Sequence, residues 1–268
     1  MTDLLNIVIS SEKRRNLLLL LKDRLHTWDE IKVQLRVSAT GMLPQIRILE
    51  NEGLVEREGK MFSLTDTGRL VVHYLEPFDT IIKVISQQKM FWKEHDLTSL
   101  PNEFFLRLNE FQNPQIVETS TEESFEPHTH FLEMILHSKR VAGISPIVHP
   151  VYPRFFLSLA AQGHDVRLIL TKNAYDKIKR EYSDMLLQGL QYDNAHLFIC
   201  DNDLKFAYIV TDSQISMGLF LKNGIFDSKR DIVSTEPSAI KWGEDLFNHF
   251  QNLSTPVNKE GKYRERRE

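Results

Sequence analysis

The segment IRILENEGLVEREGKMFSLTDTGRLV, residues 46–71, contains the clearest local structural signals in the chain. An apolar helical stripe reaches Leu49, and Gly53 is a suitable stop signal after it. Two short alternating runs then flank a turn at Gly59, which is typical of a β-hairpin. Thr65 is placed to cap the next helix. The segment therefore predicts a helix, a hairpin and a second helix in direct succession.

Three helices are predicted up to the start of this hairpin. The first covers Ser11 to Leu25 and carries leucines on one face. The second begins at Thr27, which forms a Thr-x-x-Glu capping box with Glu30, and runs to about Leu35. The third covers 38–51, with Ser38 as its N-cap and with Met42, Ile46 and Leu49 on its inner face.

Two prolines conflict with long helices. Pro44 in a helix interior would remove a hydrogen bond at a cost of roughly 3 kcal/mol. We therefore expect the third helix to begin later, near Thr40 or Gly41, and a kink is the alternative. Pro77 is expected to interrupt the helix that follows Thr65, with a further helical stretch continuing to about Trp92.

The second part of the chain alternates apolar runs with helical patterns, which indicates an α/β domain with a mixed sheet. The predicted strands are Gln115–Val117, Val141–Ile147, Val166–Leu170, His196–Cys200, Phe206–Val210, Ile215–Leu221 and Asp231–Val233. The predicted helices cover about 128–138, 152–162, 173–190 and 237–252, with Thr235 as the candidate cap of the last. The expected domains are residues 1–76, a helical linker at 77–100, the α/β domain at 101–254 and a disordered tail at 255–268.

The composition is that of an ordinary globular protein, since 41% of the 268 residues are hydrophobic and 26% are charged. A single cysteine, Cys200, excludes an internal disulfide and a multi-cysteine zinc site, and it fits a reducing compartment. The apolar run Leu17 to Leu21 is far too short to span a membrane, and no signal-peptide pattern is present. We therefore expect a cytoplasmic protein without a membrane partner.

The net charge of −4 is unevenly distributed, because residues 1–75 carry +1 and the remainder carries −5. This balance excludes a uniformly basic nucleic-acid coat protein, although it leaves room for a local basic face.

Helices, a hairpin and a further helix in this order are the layout of a winged helix-turn-helix domain. Residues 46–71 resemble the end of the recognition helix, the wing and the following helix of archaeal and bacterial winged-helix repressors. Gly53-Leu54-Val55 and Leu64-Thr65-x-x-Gly68 carry this resemblance. It implies a sequence-specific transcriptional regulator that binds double-stranded DNA, and a winged helix used only for protein contacts is the alternative.

The candidate DNA-binding residues follow from the face of the third helix that its apolar stripe leaves open. Gln45 offers a donor and an acceptor to an adenine edge, and Arg47 suits guanine or a phosphate. The remaining candidates are Ser38 and Thr40 on the helix, and Arg36, Arg57 and Lys60 as phosphate contacts. The alternative is that these are ordinary solvated side chains.

So few basic residues predict weak binding by one module, which favours a homodimer that reads two half-sites. The candidate dimer surface consists of apolar residues on the helices at 70–92. These are Val72, Leu75, Ile81, Ile82, Val84, Ile85, Phe91 and Trp92. Packing of the same residues within their own chain is the alternative.

The whole chain also resembles a family of archaeal winged-helix regulators, best known from methanogens, whose C-terminal region is named after a methanogenesis regulatory protein. The resemblance covers nearly all of residues 1–252. The stretches that carry it are LPNEFFLRLNEF at 100–111, VAGISPIVHPVYPRFF at 141–156, GHDVRLILT at 163–171, DLKFAYIVTDSQISMGLFLKNGIFD at 203–227 and AIKWGEDLFNHF at 239–250. The last two also look like the end of a phospholipase-D-like half.

A phosphodiesterase is therefore the alternative function, and its motif can be tested. These enzymes need His-x-Lys and then Asp five residues beyond the lysine. Only His137 has a lysine at the right distance, Lys139, and position 144 is Ile. His128 and His130 lack a suitable set of metal partners. We expect no catalytic residues, no metal and no cofactor.

The remaining role for the α/β domain is to sense a small-molecule effector or to mediate assembly. Ligands bind open α/β sheets at the carboxyl ends of the strands, and the loop at 145–153 follows a predicted strand. The candidate ligand-binding residues are Ser145, His149, Tyr152 and Arg154. The alternative is that the loop is only a stiff connection.

Overall fold

The computed structural model describes residues 3–118, 132 and 135–263. They form two compact units, one ending at Ile82 and the other beginning at Lys83. The predicted helix at 128–138 lies mostly outside the described residues.

The first unit contains the predicted series of helices followed by a hairpin and a further helix. Its helices are α1 Leu4–Ile9, α2 Glu12–Leu20, α3 Trp28–Leu35, α4 Ala39–Asn51 and α5 Asp66–Gln87, the last of which continues past the end of the unit. Its strands are β1 His26–Thr27, β2 Val55–Glu58 and β3 Met61–Leu64, and they pair in the order β1-β3-β2. The helix α1 and the short strand β1 were not predicted.

The core of the first unit explains why these elements form. Leu17, Ile31 and Leu49 are fully buried, so α2, α3 and α4 meet along their apolar faces. The chain leaves α2 at Leu21, earlier than the predicted end at Leu25. It does so because the next residues lead into β1, which pairs with β3.

Pro44 does not delay the start of α4, and the expectation of a later start near Thr40 or Gly41 is wrong. The helix begins at Ala39 and contains Pro44 in its interior. Ser38 caps it, and Met42 and Ile46 are buried on its inner face. The packing of this face and the cap stabilise the first turn despite the missing donor.

Pro77 does not interrupt α5, which corrects the second proline expectation. The helix is anchored to the first unit on both sides of the proline. Val72 and Leu75 before it are buried in the core, and Asp79 after it forms an ion pair with Arg15 at 2.8 Å. Tertiary contacts on both sides therefore outweigh the loss of one helical hydrogen bond.

The second unit is an α/β structure built on one mixed sheet, as predicted. Its described helices after α5 are α6 Lys89–Glu94, α7 Asn102–Phe105, α8 Tyr152–Ala161, α9 Lys172–Glu181, α10 Ser183–Gly189 and α11 Pro237–Leu253. Its strands are β4 Gln115–Glu118, β5 Arg140–Ser145, β6 Asp165–Thr171, β7 Ala195–Cys200, β8 Phe206–Thr211, β9 Ile215–Phe220, β10 Phe226–Ser234 and β11 Thr255–Pro256. The sheet order is β11-β7-β6-β5-β8-β9-β10-β4. The pairs β5·β6 and β6·β7 are parallel, and the other pairs of this order are antiparallel.

One face of this sheet is covered by α11. Trp242 and Phe247 are buried on the helix, and Gly243 allows close approach to the sheet. A Cβ at Gly243 would stand 2.7 Å from Ile215 Cδ1 and 3.1 Å from Val210 Cβ. Because side chains alternate along a strand, Ile209 and Ser216 point to the opposite face.

The C-terminal segment differs from the expectation in two ways. Glu236, not Thr235, precedes α11 as its N-cap, and no side chain caps the helix. The expected disorder of 255–268 is wrong for its described part, because β11 pairs with β7 and Tyr263 stacks edge-on against Tyr175.

Candidate nucleic-acid interface and ligand cavity

The first helix of the helix-turn-helix begins with the predicted capping box. Thr27 N donates to Glu30 Oε2 at 2.7 Å, and Glu30 N donates to Thr27 Oγ1 at 3.3 Å. The Thr27 backbone N–H, with the Arg24 guanidinium and the Thr27 hydroxyl, lowers the pKa of the Glu30 carboxyl to about 2. The start of α3 is therefore fixed by side-chain hydrogen bonds.

The turn between α3 and α4 places polar side chains at the start of α4. Arg36 ends α3 in the left-handed conformation, with φ 53° and ψ 44°, and is exposed. Ser38 Oγ accepts from Gly41 N at 3.3 Å and lies 3.2 Å from Thr40 Oγ1. Both hydroxyls thus stand at the positive end of the helix dipole.

The outer face of α4 is exposed along its length. Thr40, Leu43, Pro44 and Arg47 lie on this face, opposite the buried stripe. Thr40 and Arg47, two of the predicted contacts, therefore share one exposed face of α4. Leu43 was missed because the prediction considered only polar groups, although apolar side chains also contact thymine methyl groups.

Gln45 faces a different direction from the other predicted base contacts. Arg14 Nη1 donates to Gln45 Oε1 at 2.7 Å, and Arg14 Nε donates to the carbonyl of Ile7. The amide of Gln45 is half-buried between α4 and α2. This hydrogen bond orients α4 and engages one of the two lone pairs of the oxygen that an adenine edge would contact.

The wing brings Arg57 and Lys60 to the surface with acidic neighbours. Arg57 Nε donates to Gly59 O at 2.9 Å, and its guanidinium lies 5.3 Å from the centre of the Phe62 ring. Lys60 is exposed in the turn, and Glu56 and Glu58 are exposed on β2. The wing therefore has no net positive charge.

Lys13 is a basic residue beside the first turn of α4 that was not among the candidates predicted from the sequence. Its Nζ lies 2.8 Å from the place where a Cβ at Gly41 would stand, so the ammonium group lies against the first turn of α4. The signal that could have found it is the glycine, because a residue without a Cβ leaves room for a lysine there.

The second unit contains a cavity of about 240 Å³ between the sheet and the helices α8 and α10. Small residues lower its floor, because Gly143, Ala207 and Gly218 lie on strands that face it. The walls are mainly apolar. Their larger residues include Ile147, Val148, Phe156, Leu157, Leu168, Leu170, Met185, Leu186, Leu190 and Leu197.

Polar side chains interrupt this lining. Ser216 Oγ donates to Asp231 Oδ2 at 3.3 Å, and Tyr152 belongs to the same lining. Burial, and then the negative charge of Asp231, raise the pKa of the Tyr152 hydroxyl well above its usual value. Tyr152 therefore keeps its proton as a neutral donor.

Three of the four predicted ligand residues line the cavity. Ser145 lies at the end of β5, and its hydroxyl is engaged in the local turn through Ile147 N and O. His149 and Tyr152 line the cavity from the loop and from α8. Arg154 is exposed and lies outside the lining, which corrects its inclusion in the predicted site.

The phosphodiesterase candidates lie around the start of β5. His137 and Lys139 are exposed, and Ile144 is buried in β5. Within residues 3–118 and 135–263 there is no group of three or more His, Cys, Asp or Glu that could hold a metal. His128 and His130 lie outside the described residues. Among the described helices, none combines the length and the hydropathy of a membrane span.

A winged helix-turn-helix unit joined to an α/β unit defines the class of two-domain winged-helix regulators. Two family models match the chain: the N-terminal domain of the methanogenesis regulatory protein FilR1 over residues 2–86, and its middle domain over 124–253. The chain belongs to this FilR1 family of archaeal regulators, and the predicted membership is confirmed.

A curated methanogenesis regulatory protein FilR1 from Methanothrix harundinacea (strain 6Ac) is 26% identical over 252 residues. The match covers 92% of this chain and 56% of that protein, so the chain spans little more than half of its relative's length. Among solved structures, the archaeal chromatin protein TrmBL2 aligns over 90% of this chain and 91% of its own, at 12% identity and a TM-score of 0.42. The phospholipase D family member NUC from Salmonella typhimurium aligns over 55% and 98%, at 13% identity and a TM-score of 0.40.

Proposed function

We propose that this chain is a sequence-specific, DNA-binding transcriptional regulator that acts in the cytoplasm. The observation that carries the proposal is the geometry of α4, whose inner face is buried while its outer face is exposed. A helix held in this way by a capped partner helix is suited to the major groove. The family membership supports the same function.

Within this proposal, the predicted contacts divide into two groups. Ser38, Thr40 and Arg47 contact base edges or nearby phosphates, and Arg36 and the wing residues Arg57 and Lys60 contact phosphates. Gln45 acts indirectly, because its bond to Arg14 holds α4 in position.

The homodimer remains a proposal, with a surface that shares only Ile82 with the predicted one. The structure buries Val72, Leu75, Val84 and Phe91 within the chain, so these residues are not available to a partner. An apolar ridge is exposed along α5 at a spacing of four residues. It consists of Leu70, Tyr74, Phe78 and Ile82, which are 61%, 68%, 48% and 47% exposed. Residues four apart are neighbours on a helix, so a second copy can pair along this ridge.

The second unit is proposed to sense an effector in its cavity, with assembly as the alternative role. The lining is concave and mainly apolar with a few polar groups, which is typical of small-molecule sites. Phosphodiesterase activity is not part of the proposal, because an isoleucine occupies the place of the required aspartate.

Selection of bound sites from random DNA tests the regulator proposal directly. We expect a recovered site with two similar halves spaced by about 10 base pairs, one turn of DNA, because two modules read it together. Mobility-shift titrations then compare the DNA affinities of two variants. Arg47→Ala changes the outer face of α4, and Lys229→Ala, at an exposed lysine of the second unit, is the control. Recovery of no preferred sequence would contradict sequence-specific binding.

A further inference from the structure

Apolar side chains from two helices and two strands form most of the walls of the cavity in the second unit. They are Phe156 and Leu157 from α8, Met185 and Leu186 from α10, Leu168 and Leu170 from β6, and Leu197 from β7. Gly143, Ala207 and Gly218 place small residues on three neighbouring strands of the sheet in the same lining. A ligand in this space is therefore surrounded mainly by hydrocarbon, and the hydrophobic effect favours its apolar parts.

The polar side chains of the loop after β5 are hydrogen-bonded within the loop itself. Ser145 Oγ donates to Ile147 O at 2.8 Å and accepts from Ile147 N at 3.2 Å. His149 Nδ1 accepts from Val151 N at 3.3 Å. Ser145 and His149 both line the cavity, so the loop satisfies these groups without a ligand.

The polar side chains on the strands are also engaged or reach solvent. Ser216 Oγ on β9 donates to Asp231 Oδ2 on β10 at 3.3 Å, so the carboxylate has a partner within the protein. His196 and Ser228 belong to the described lining and are exposed, so water can hydrate them. A charged ligand head would lose its hydration inside the cavity and would compete for groups that are already hydrogen-bonded.

Two tyrosines complete the described polar lining, and both stay uncharged. The Tyr208 hydroxyl donates to Gly243 O at 3.0 Å. The centre of the Tyr152 ring lies 5.3 Å from that of His149 and 6.0 Å from that of Phe156. Burial is the main cause that raises the pKa of both tyrosine hydroxyls, so neither ionises at neutral pH. Their rings therefore add to the uncharged wall of the cavity.

The volume of the cavity sets the size of a suitable ligand. A cavity of roughly 150 Å³ lined by leucine, isoleucine and phenylalanine stays dry and holds benzene. The cavity of this chain has about 240 Å³, so it has room for a ligand larger than benzene. A benzene ring with a short alkyl chain is a probe of suitable size.

We propose that this cavity binds an uncharged, predominantly apolar small molecule that is larger than benzene. This inference rests on the proposed role of the cavity as an effector site and names the class of effector. The apolar walls provide the affinity, and the internal pairing of the polar side chains disfavours a charged head.

Four probes that share a phenyl ring and a short chain test this class of ligand. Butylbenzene, phenylpropanol and phenylpropylamine have nearly the same shape and end in a methyl, a hydroxyl and an ammonium group, and phenylpropionate ends in a carboxylate. Isothermal titration calorimetry on the full chain is expected to show tightest binding of butylbenzene. Both charged probes are expected to bind about tenfold more weakly or less, because they lose hydration that the cavity does not replace. A charged probe that bound as tightly as butylbenzene would overturn the proposal while leaving the cavity as an effector site.

Intermolecular nuclear Overhauser effects locate bound butylbenzene in the unmodified chain, so this measurement does not depend on the folding of a variant. We expect contacts from the probe to the methyl groups of Leu168 and Met185, which line the cavity. The exposed ridge of α5 is a second apolar surface. Contacts only to Leu70 and Ile82 of that ridge would overturn the assignment to the cavity.

A filled cavity tests the same assignment by affinity. Ala207→Leu adds volume within the lining and is expected to weaken butylbenzene about tenfold or more, with circular dichroism checking that the variant is folded. Ala161→Leu, at an exposed alanine of α8 outside the described lining, is the control and is expected to leave the affinity unchanged. Equal affinities of the two folded variants would overturn the proposal. If the unmodified chain bound none of the probes, the inference would fail, and selection from random DNA would still judge the regulator proposal separately.

Discussion

Arg36 has a backbone conformation that residues with a side chain rarely adopt, and it lies in the turn of the helix-turn-helix. Its φ of 53° and ψ of 44° are in the left-handed region, which costs an L-residue about 1–2 kcal/mol. Glycine is the usual residue at such a helix end. An arginine here is consistent with a contact to DNA that glycine could not make.

Replacement of Arg36 by glycine separates the backbone strain at this position from the contribution of the arginine side chain to DNA binding. We expect Arg36→Gly to raise the free energy of unfolding by about 0.5–1 kcal/mol, because relief of the left-handed strain exceeds the greater flexibility of glycine in the unfolded chain. DNA affinity is expected to fall at the same time. Urea unfolding measures the first effect, with Lys32→Gly in the interior of α3 as a control that destabilises by about 1 kcal/mol. A lower free energy of unfolding for Arg36→Gly would contradict the claim that the backbone of Arg36 is strained.

Glu30 makes the stability of the first unit depend on pH. Its pKa is lowered from 4.5 to about 2 in the folded chain, so its contribution is present above pH 4.5 and is lost as the pH falls through about 2. The difference in unfolding midpoint between the unmodified chain and Glu30→Ala is therefore expected to be constant above pH 5 and to shrink below 4.5. Asp29→Ala, an exposed acid of the same turn, provides the control. A difference that stayed constant down to pH 2 would contradict the capping role.

Among the secondary-structure elements, α5 has apolar residues both on the side that is buried and on the side that is exposed. Val72 and Leu75 attach it to the core of the first unit, and the ridge of Leu70, Tyr74, Phe78 and Ile82 lies on its exposed side. The apolar residues of this segment were predicted as one dimer surface, because their sequence alone does not say which side of the helix meets the core.

A charge placed on the ridge tests the dimer. We expect the unmodified chain to sediment as a dimer at micromolar concentration and Phe78→Lys to sediment as a monomer, since a buried unpaired lysine opposes association. Val33→Lys introduces the same charge at an apolar residue of α3 that is 73% exposed, and is expected to leave the dimer intact. A monomeric unmodified chain would refute the dimer.

The junction between β2 and α5 depends on Gly68. A Cβ there would stand 2.0 Å from the carbonyl oxygen of Leu54, and Gly68 N donates to Thr65 Oγ1 at 2.9 Å. Gly68→Ala is expected to lower the free energy of unfolding of the first unit by about 1–3 kcal/mol, because the backbone must move apart. Thr67→Ala, an exposed neighbour, is expected to change it by less than about 0.5 kcal/mol. Equal free energies of unfolding in urea for Gly68→Ala and the unmodified chain would contradict this account, because they would show that the backbone can move apart at little cost.

Local sequence signals predicted most of the helices and strands. Where such a prediction was wrong, the structure shows a physical cause. The Thr27 capping box, the hairpin around Gly59 and the strands of the second unit were predicted from nearby residues alone. The continuity of α4 and α5 through Pro44 and Pro77 was not, because contacts distant in sequence support both helices. The short strand β1 and the ordered segment around β11 exist only through pairing with other strands.

In the complete chain, function depends on which side chains the fold brings together. The outer face of α4 was predicted from helical spacing, but spacing could not show that Gln45 meets Arg14 from another helix. In the same way, the loop at 145–153 predicted a ligand site, while Asp231 and Ser216, on strands far along the sequence, line the same cavity as part of this loop. The near-neutral charge of the first unit favours recognition through base contacts over bulk attraction to phosphates.

The central claim is that the outer face of α4 reads bases, and the affinity ratio between a selected site and a scrambled site tests it. Arg47→Ala is expected to reduce this ratio about tenfold or more, because one good base contact contributes about 1–3 kcal/mol of discrimination. Lys60→Ala in the wing is expected to weaken binding to both sites equally and to leave the ratio unchanged. An unchanged ratio in Arg47→Ala, with the variant folded, would contradict the claim.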